Sequence, residues 1–181
     1  MVSVRTTLIC HTMKKLLLLL ISALIFSACA ERTESVTIEP VSWDKRKSSP
    51  NPADSMINGQ TYLSVYSQIY SQTQHRKYDL TATVSLRNTD LDDTIYIHRT
   101  TYYNTQGQLI RTFFDEPIFI APLETVEIVI DETDQEGGTG GNFIFDWAIK
   151  PGTNQPLFEG VMISTSGQQG LSFTTQGKRI H

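Results

Sequence analysis

An acidic, glycine-rich segment is the part of the sequence whose residue types come closest to metal chemistry. Asp131, Asp134 and Glu136 lie close together, and residues 137–141 follow as Gly-Gly-Thr-Gly-Gly. Carboxylate oxygens on a flexible loop are the ligands that calcium prefers, although this spacing departs from that of an EF-hand loop. An acidic connection whose glycines supply positive φ angles is the simpler interpretation. We therefore predict no metal site, and keep a calcium- or small-ligand-binding loop at 131–141 as the alternative.

Cys29 carries the most specific chemistry, because the residues before it resemble the lipobox of bacterial lipoproteins. Met13-Lys14-Lys15 is a short positive region, a nearly unbroken apolar run follows over 16–26, and Ser27 and Ala28 precede the cysteine. A run of about a dozen residues is too short to span a bilayer, which takes roughly 20. Small residues before the cysteine suit a signal peptidase. We predict a lipoprotein signal peptide over 1–28, with Met13 the better start, and lipid attachment at Cys29; an ordinary secretory signal is the alternative.

A lipid on Cys29 would place the protein in the bacterial cell envelope, because two or three acyl chains make anchoring effectively permanent. Ala30 follows the cysteine. In a diderm bacterium, the absence of aspartate there favours the outer membrane, with the domain facing the periplasm. The second cysteine, Cys10, lies in the leader, so no disulfide framework is expected.

The charge of the chain excludes one class of partner. From Cys29 onward, 12 basic residues stand against 19 acidic ones, which gives a formal charge of −7. An acidic surface with scattered basic residues repels a phosphate backbone, so we predict no nucleic-acid binding.

Catalytic patterns are missing from the sequence. Three histidines follow the leader: His75, His98 and His181. They form no His-x-x-x-His pair, so we expect no zinc site and no cofactor. The serines considered as nucleophiles fall in predicted strands, at Ser64, Ser85 and Ser164. None lies in a Gly-x-Ser-x-Gly elbow. Asp115 and Glu116 are neighbours on a strand, so their carboxyl groups point to opposite faces and cannot share a proton.

The elements that would position any site are strands. Residues 29–58 are polar and rich in Ser, Pro and charges, and we interpret them as the lipidated N-terminus and a flexible linker, with Trp43 able to dock on the domain and Lys45-Arg46-Lys47 solvated. A β-sandwich domain is predicted over 59–181, where the pattern changes to a period of two. The predicted strands are 62–70, 78–88, 94–104, 108–114, 118–120, 124–130, 142–150, 157–165 and 171–175.

Two of these strands show the alternation most clearly. Leu80, Ala82, Val84 and Leu86 should form one apolar face, and Phe143, Phe145, Trp147 and Ile149 should form the heaviest apolar face in the chain. Strands at this spacing without crossover helices predict an all-β, antiparallel sandwich of immunoglobulin-like type, with a barrel or jelly roll as alternatives.

Several stretches of this domain are specific as a set. They are Tyr78-Asp79-Leu80-Thr81-Ala82-Thr83-Val84-Ser85-Leu86-Arg87-Asn88-Thr89, Tyr102-Tyr103-Asn104 with Gly107, Asp115-Glu116-Pro117, Gly141-Asn142-Phe143 with Trp147, and Ser166-Gly167-Gln168-Gln169-Gly170 with Phe173. Together they resemble the bacterial lipoprotein family catalogued as domain of unknown function 3124, from Gly59 to the C-terminus. The resemblance implies an uncharacterised function and supplies no activity, cofactor or catalytic residue.

The predicted anchor, the all-β domain and the missing catalytic patterns together favour a binding role. We expect a membrane-anchored, non-enzymatic binding module with an envelope protein or other envelope component as its partner; an envelope enzyme of unknown class ranks third, after the 131–141 ligand loop. Candidate contact features are a stripe of Tyr62, Tyr66 and Tyr70, if it is exposed rather than part of the core, and the amides of 167–170, which otherwise form a glycine-hinged loop.

Overall fold

The computed structural model describes residues 41–165 and 170–181. The predicted signal peptide, Cys29 and the first part of the predicted linker lie outside the described residues, as does 166–169 with its two glutamines. Within the described ranges, no helix is long and apolar enough to cross a membrane.

Twelve strands and one short 3-10 helix, Asp44–Arg46, make up the described chain. The strands are β1 (Ile57–Val65), β2 (Gln68–Ser71), β3 (Thr73–Asp79), β4 (Thr81–Arg87), β5 (Ile95–Tyr103), β6 (Leu109–Phe114), β7 (Ile118–Ile120), β8 (Thr125–Ile130), β9 (Gly141–Ile149), β10 (Leu157–Ser164), β11 (Leu171–Gln176) and β12 (Lys178–Arg179).

The strands form two sheets and a separate hairpin. The first sheet has the order β12-β1-β9-β5-β6, with β7 also paired to β5. The second sheet has the order β11-β10-β4-β8, and β2 pairs with β3 alone. Every pairing is antiparallel. The predicted all-β, antiparallel sandwich is confirmed at this level, and its immunoglobulin-like type stays a prediction.

The core lies between the two sheets and contains both predicted apolar faces. Every side chain of the two faces is buried, from 0 to 3 % exposed. The rings of Phe145 on β9 and Phe158 on β10 stack with their centroids 4.0 Å apart, which joins the first sheet to the second. Alternating apolar side chains on one face of each strand explain this burial, because successive side chains of a strand point to opposite faces.

The predicted strand over 62–70 is wrong, because the chain leaves the first sheet after Val65. Ser67 is fully buried outside any strand. The amides of Ser67 and Gln68 donate to the Gly138 carbonyl at 3.1 and 3.0 Å. This long-range pairing satisfies backbone donors that would otherwise continue β1. The predicted tyrosine stripe is therefore divided between β1, the break and β2.

Residues that the sequence analysis assigns to the linker contact the domain. Trp43 packs its ring 4.9 Å from that of Phe114. The Arg46 guanidinium donates to the Glu124 carboxylate at 2.7 Å. Lys47 forms an isolated antiparallel bridge with Ile118. Ordered packing of the domain thus begins well before residue 58, and part of the basic triplet is paired rather than freely solvated.

Candidate functional site

The β2–β3 hairpin has a run of exposed residues at its tip. Residues 72–77 are all exposed. The strands turn at Gln72, whose φ of 61° lies in the left-handed region. A residue other than glycine in this conformation is uncommon, and the tight turn places Ser71 opposite Thr73. The hairpin therefore presents its tip to solvent.

Each basic side chain of the hairpin lies over a tyrosine ring. The Lys77 ammonium is 5.6 Å from the ring centre of Tyr70, its direct cross-strand partner. The Arg76 guanidinium is 5.4 Å from the ring centre of Tyr78. Because side chains at successive positions point to opposite faces, the two pairs lie on the two faces of the ribbon. Contacts of this kind hold the cations in place while leaving them accessible.

Hydrogen bonds fix the base of the hairpin to the 131–141 loop. Gly138 accepts from the two amides at the start of β2. The Gln135 side-chain amide donates to the Asp79 carboxylate at 3.0 Å, and Asp79 also accepts from Gln68 at 2.7 Å. The predicted ligand loop thus serves as a support for the hairpin.

The three carboxylates considered as calcium ligands in that loop already have hydrogen-bond or ion-pair partners. The Arg111 guanidinium lies 2.9 Å from Asp134 and 3.4 Å from Glu136. Asp131 accepts hydrogen bonds from the backbone amide and hydroxyl of Thr133, which lower the pKa of its carboxyl. Among residues 41–165 and 170–181, no three His, Cys, Asp or Glu side chains are placed to hold a metal ion. No contact in the loop favours the calcium alternative.

Two positions of the loop require glycine for different structural reasons. Gly138 has a φ of 64° and supplies the positive angle that the sequence predicts for this loop. Gly137 is buried, and a Cβ there would overlap with the Tyr102 hydroxyl. The Tyr102 and Ser67 hydroxyl oxygens are 3.0 Å apart, so the loop closes over a buried polar contact at the foot of the hairpin.

An open hollow of about 290 Å³, separate from the hairpin, lies at one end of the first sheet. Its lining residues are Asn58, Gly59, His98, Asp146, Trp147 and His181. His98 is the extra residue of a bulge between Ile97 and Arg99 in the β5–β9 pairing. Partial burial lowers the pKa of its imidazole, and the Asp146 carboxylate opposes that effect. The hollow offers hydrogen-bonding groups, and Asp146 is already bonded to Gln60 at 2.7 Å.

The remaining residues considered in the sequence are dispersed. His75 lies in the exposed part of the hairpin, whereas His98 and His181 line the hollow. Ser85 is buried, and its hydroxyl donates to Glu127 at 3.4 Å. Glu116 pairs with Lys47 at 3.1 Å. Ser64, Ser85 and Ser164 lie neither in the exposed part of the hairpin with His75 nor in the lining of the hollow with His98 and His181.

Sequence reasoning missed the hairpin itself. A local signal was present, because two adjacent cations precede a tyrosine in Arg76-Lys77-Tyr78, which places Arg76 and Tyr78 on one face of a strand. The interpretation of 62–70 as one continuous strand obscured it, since that interpretation left no partner strand for residues 73–79.

Comparisons with known proteins add the family and no activity. No curated protein and no solved structure matches this chain. A family model described as "Protein of unknown function (DUF3124)" matches residues 58–180, which include every strand except the first residue of β1. The chain therefore belongs to the DUF3124 family of proteins of unknown function.

Proposed function

We propose that this protein is a membrane-anchored lipoprotein of the bacterial cell envelope whose immunoglobulin-like sandwich is a non-enzymatic binding module. The observation that carries the proposal is the β2–β3 hairpin, which exposes two cation–tyrosine pairs on an element that belongs to neither sheet. Arginine and tyrosine are enriched at the energetic centres of protein interfaces.

The charge of the hairpin indicates the chemistry of the partner. Arg76 and Lys77 form no ion pair with any described residue, a property that they share with Lys45, Arg99, Lys178 and Arg179. Two adjacent unpaired cations in the exposed part of the hairpin favour an anionic partner surface, because complementary charge steers encounter and selects partners. An acidic region of an envelope protein is the partner that we propose.

The anchor rests on Cys29 and its signal peptide. In a diderm organism the domain would face the periplasm from the outer membrane. Mass spectrometry of the protein extracted from membranes tests this part: we expect an N-terminal diacyl or triacyl group on Cys29. A Cys29→Ala form should leave the membrane fraction. An unmodified chain that begins at another residue would contradict the anchor and leave the role of the hairpin to be tested separately.

A photo-crosslinking amino acid at Gln74, in the exposed part of the hairpin, tests the binding role in intact cells. The matched control places the same group at Leu91, which is 71 % exposed and follows the other end of β4. We expect a reproducible protein adduct from position 74 that is absent from position 91. The same adducts from both positions, or none from position 74, would contradict the hairpin as the contact surface.

A further inference from the structure

At one edge of the second sheet, the β11 strand has a row of backbone groups that find no partner within residues 41–165 and 170–181. The Gly177 amide donates to the Phe158 carbonyl at 2.8 Å, and the β10–β11 register continues from that pair. In an antiparallel ladder, hydrogen-bonded pairs alternate with non-bonded pairs. The backbone groups of Ser172, Thr174 and Gln176 therefore point away from β10, and all three residues are exposed.

This edge lacks the devices that keep sheet edges from pairing. Such devices are short strands, charges, proline and bulges. β11 spans six residues with the sequence Leu-Ser-Phe-Thr-Thr-Gln, which contains no charge and no proline. Its pairing with β10 is continuous, without a register shift. An uncharged edge of this length, with an uninterrupted register, is a template for another strand.

The other edges of the two sheets are protected. β8 carries Glu127 and is flanked by Glu124 and Asp131. β6 is bulged at two places along its pairing with β5. β12 has two residues, and both are basic. β7 pairs with no described strand except β5 and has three residues that follow Pro117. The contrast singles out β11, because the other described edges are protected by charge, irregularity, proline or length.

We infer that β11 pairs with β11 of a second copy of this chain, so that two second sheets join into one continuous sheet. A two-fold axis through Thr174 places that residue opposite its symmetry mate and Ser172 opposite Gln176. All the outward backbone groups of the strand then find partners. The absence of charge on β11 favours the second copy, because identical strands meet without like charges in register.

The inference does not depend on the β2–β3 hairpin, because that hairpin pairs with no strand of the second sheet. A Thr174→Cys form of the full chain, produced in its native cell, tests the register directly. Residues opposite each other across an antiparallel pair fall within the Cα separation that a disulfide allows. Val129→Cys is the matched control, because Val129 is 59 % exposed and lies on β8, the opposite edge of the same sheet.

We expect a covalent dimer from Thr174→Cys at a yield several times that of Val129→Cys. Equal yields, no dimer from Thr174→Cys, or a disulfide to a different protein would overturn the inference. Sedimentation of the detergent-extracted full chain gives an independent measure. The unchanged chain and Val129→Lys should sediment as dimers and Thr174→Lys as a monomer, because the two lysines would meet at the axis. A monomeric unchanged chain would overturn the inference.

Discussion

The hydroxyl oxygens of Ser67 and Tyr102 lie 3.0 Å apart in a buried contact beneath the 131–141 loop. Ser67 is where the chain leaves β1 to form the hairpin, and Tyr102 belongs to β5, an inner strand of the first sheet. Burial raises the pKa of the Tyr102 hydroxyl, which the Ser67 hydrogen bond partly offsets. The contact links the exposed hairpin to the core through a neutral, partnered hydroxyl.

Gly137 should be intolerant of a side chain because it closes over that contact. A Gly137→Ala change brings Cβ into the Tyr102 hydroxyl, and we expect an overpacking cost of about 1–3 kcal/mol. Gly140→Ala in the same loop meets Thr105 at 3.6 Å, an ordinary contact, and should stay within about 0.5 kcal/mol. Urea unfolding of both variants measures the difference. Equal losses would show that the loop does not pack as described.

A double-mutant cycle locates the cause of that loss. Tyr102→Phe removes the hydroxyl that the new Cβ would meet, so part of the Gly137→Ala cost should disappear in the double variant. Strict additivity of the two changes would contradict the proposed overlap.

The Arg46–Glu124 ion pair should make stability depend on pH in acid. Hydrogen bonds from Arg46 and from the Ala121 amide lower the pKa of the Glu124 carboxyl from its ordinary value of 4.5. A lowered folded-state pKa contributes stability above the unfolded pKa and loses it as pH falls through the folded one. Glu124→Gln should therefore cost up to about 1 kcal/mol at neutral pH and progressively less below pH 4.5.

Glu132→Gln is the control for this effect, because Glu132 is exposed and bonded to no described residue. Melting temperatures measured from about pH 3 to about pH 7 compare the two variants. An equal cost for both, or a cost for Glu124→Gln that does not shrink in acid, would contradict docking of residues 41–47 on the domain.

His98 should make the stability of the protein depend on pH in a higher range than Glu124 does. Its folded-state pKa lies below the ordinary 6.5, so the unfolded chain takes up the proton first. Stability is then present above 6.5 and falls as pH drops toward the folded-state pKa. The unchanged protein should lose stability relative to His98→Gln between about pH 7.5 and 5.5. The exposed His75→Gln provides the reference, and a parallel profile for His75→Gln and His98→Gln would refute the burial of His98.

Trp147 makes a hydrogen bond that the core requires. Its indole donates to the Thr61 hydroxyl at 2.9 Å in a buried setting. Thr61→Val keeps the shape but leaves the donor unsatisfied, which costs about 1–3 kcal/mol. Thr112→Val on an exposed position of β6 should change little. Unfolding followed by tryptophan fluorescence measures both, and an unaffected Thr61→Val would mean that the indole finds another acceptor.

Local pattern was sufficient to predict the core strands. β4 alternates apolar and polar residues over its whole length, and β9 places a large apolar residue at every second position from Phe143 to Ile149, although Ile144 and Ala148 on its other face are also apolar. Each strand buries its predicted face, because a period of two places these residues on one side. The turn at 88–93 was also predictable. Asn88 and Asp90 accept hydrogen bonds from backbone amides two residues on, as the short polar side chains of turns do.

Long-range pairing was beyond the sequence pattern. Ser67 leaves β1 because Gly138, far along the chain, accepts from its amide. The bulge at His98 depends on the register between β5 and β9 and leaves no local signal. His98 therefore meets Asp146 and His181 at one hollow that residue spacing alone does not reveal.

The contact surface is tested most directly by a charge change on the hairpin. Arg76→Ser with Lys77→Ser removes both cations, and Lys45→Ser with Lys178→Ser removes the same charge from exposed residues that form no ion pair with the described chain. Crosslinking from Gln74 in intact cells then compares the two forms with the unchanged protein. We predict that the hairpin form loses most of its adduct while the control form keeps it. Adducts of equal yield in all three forms would contradict the hairpin as the binding surface of this protein.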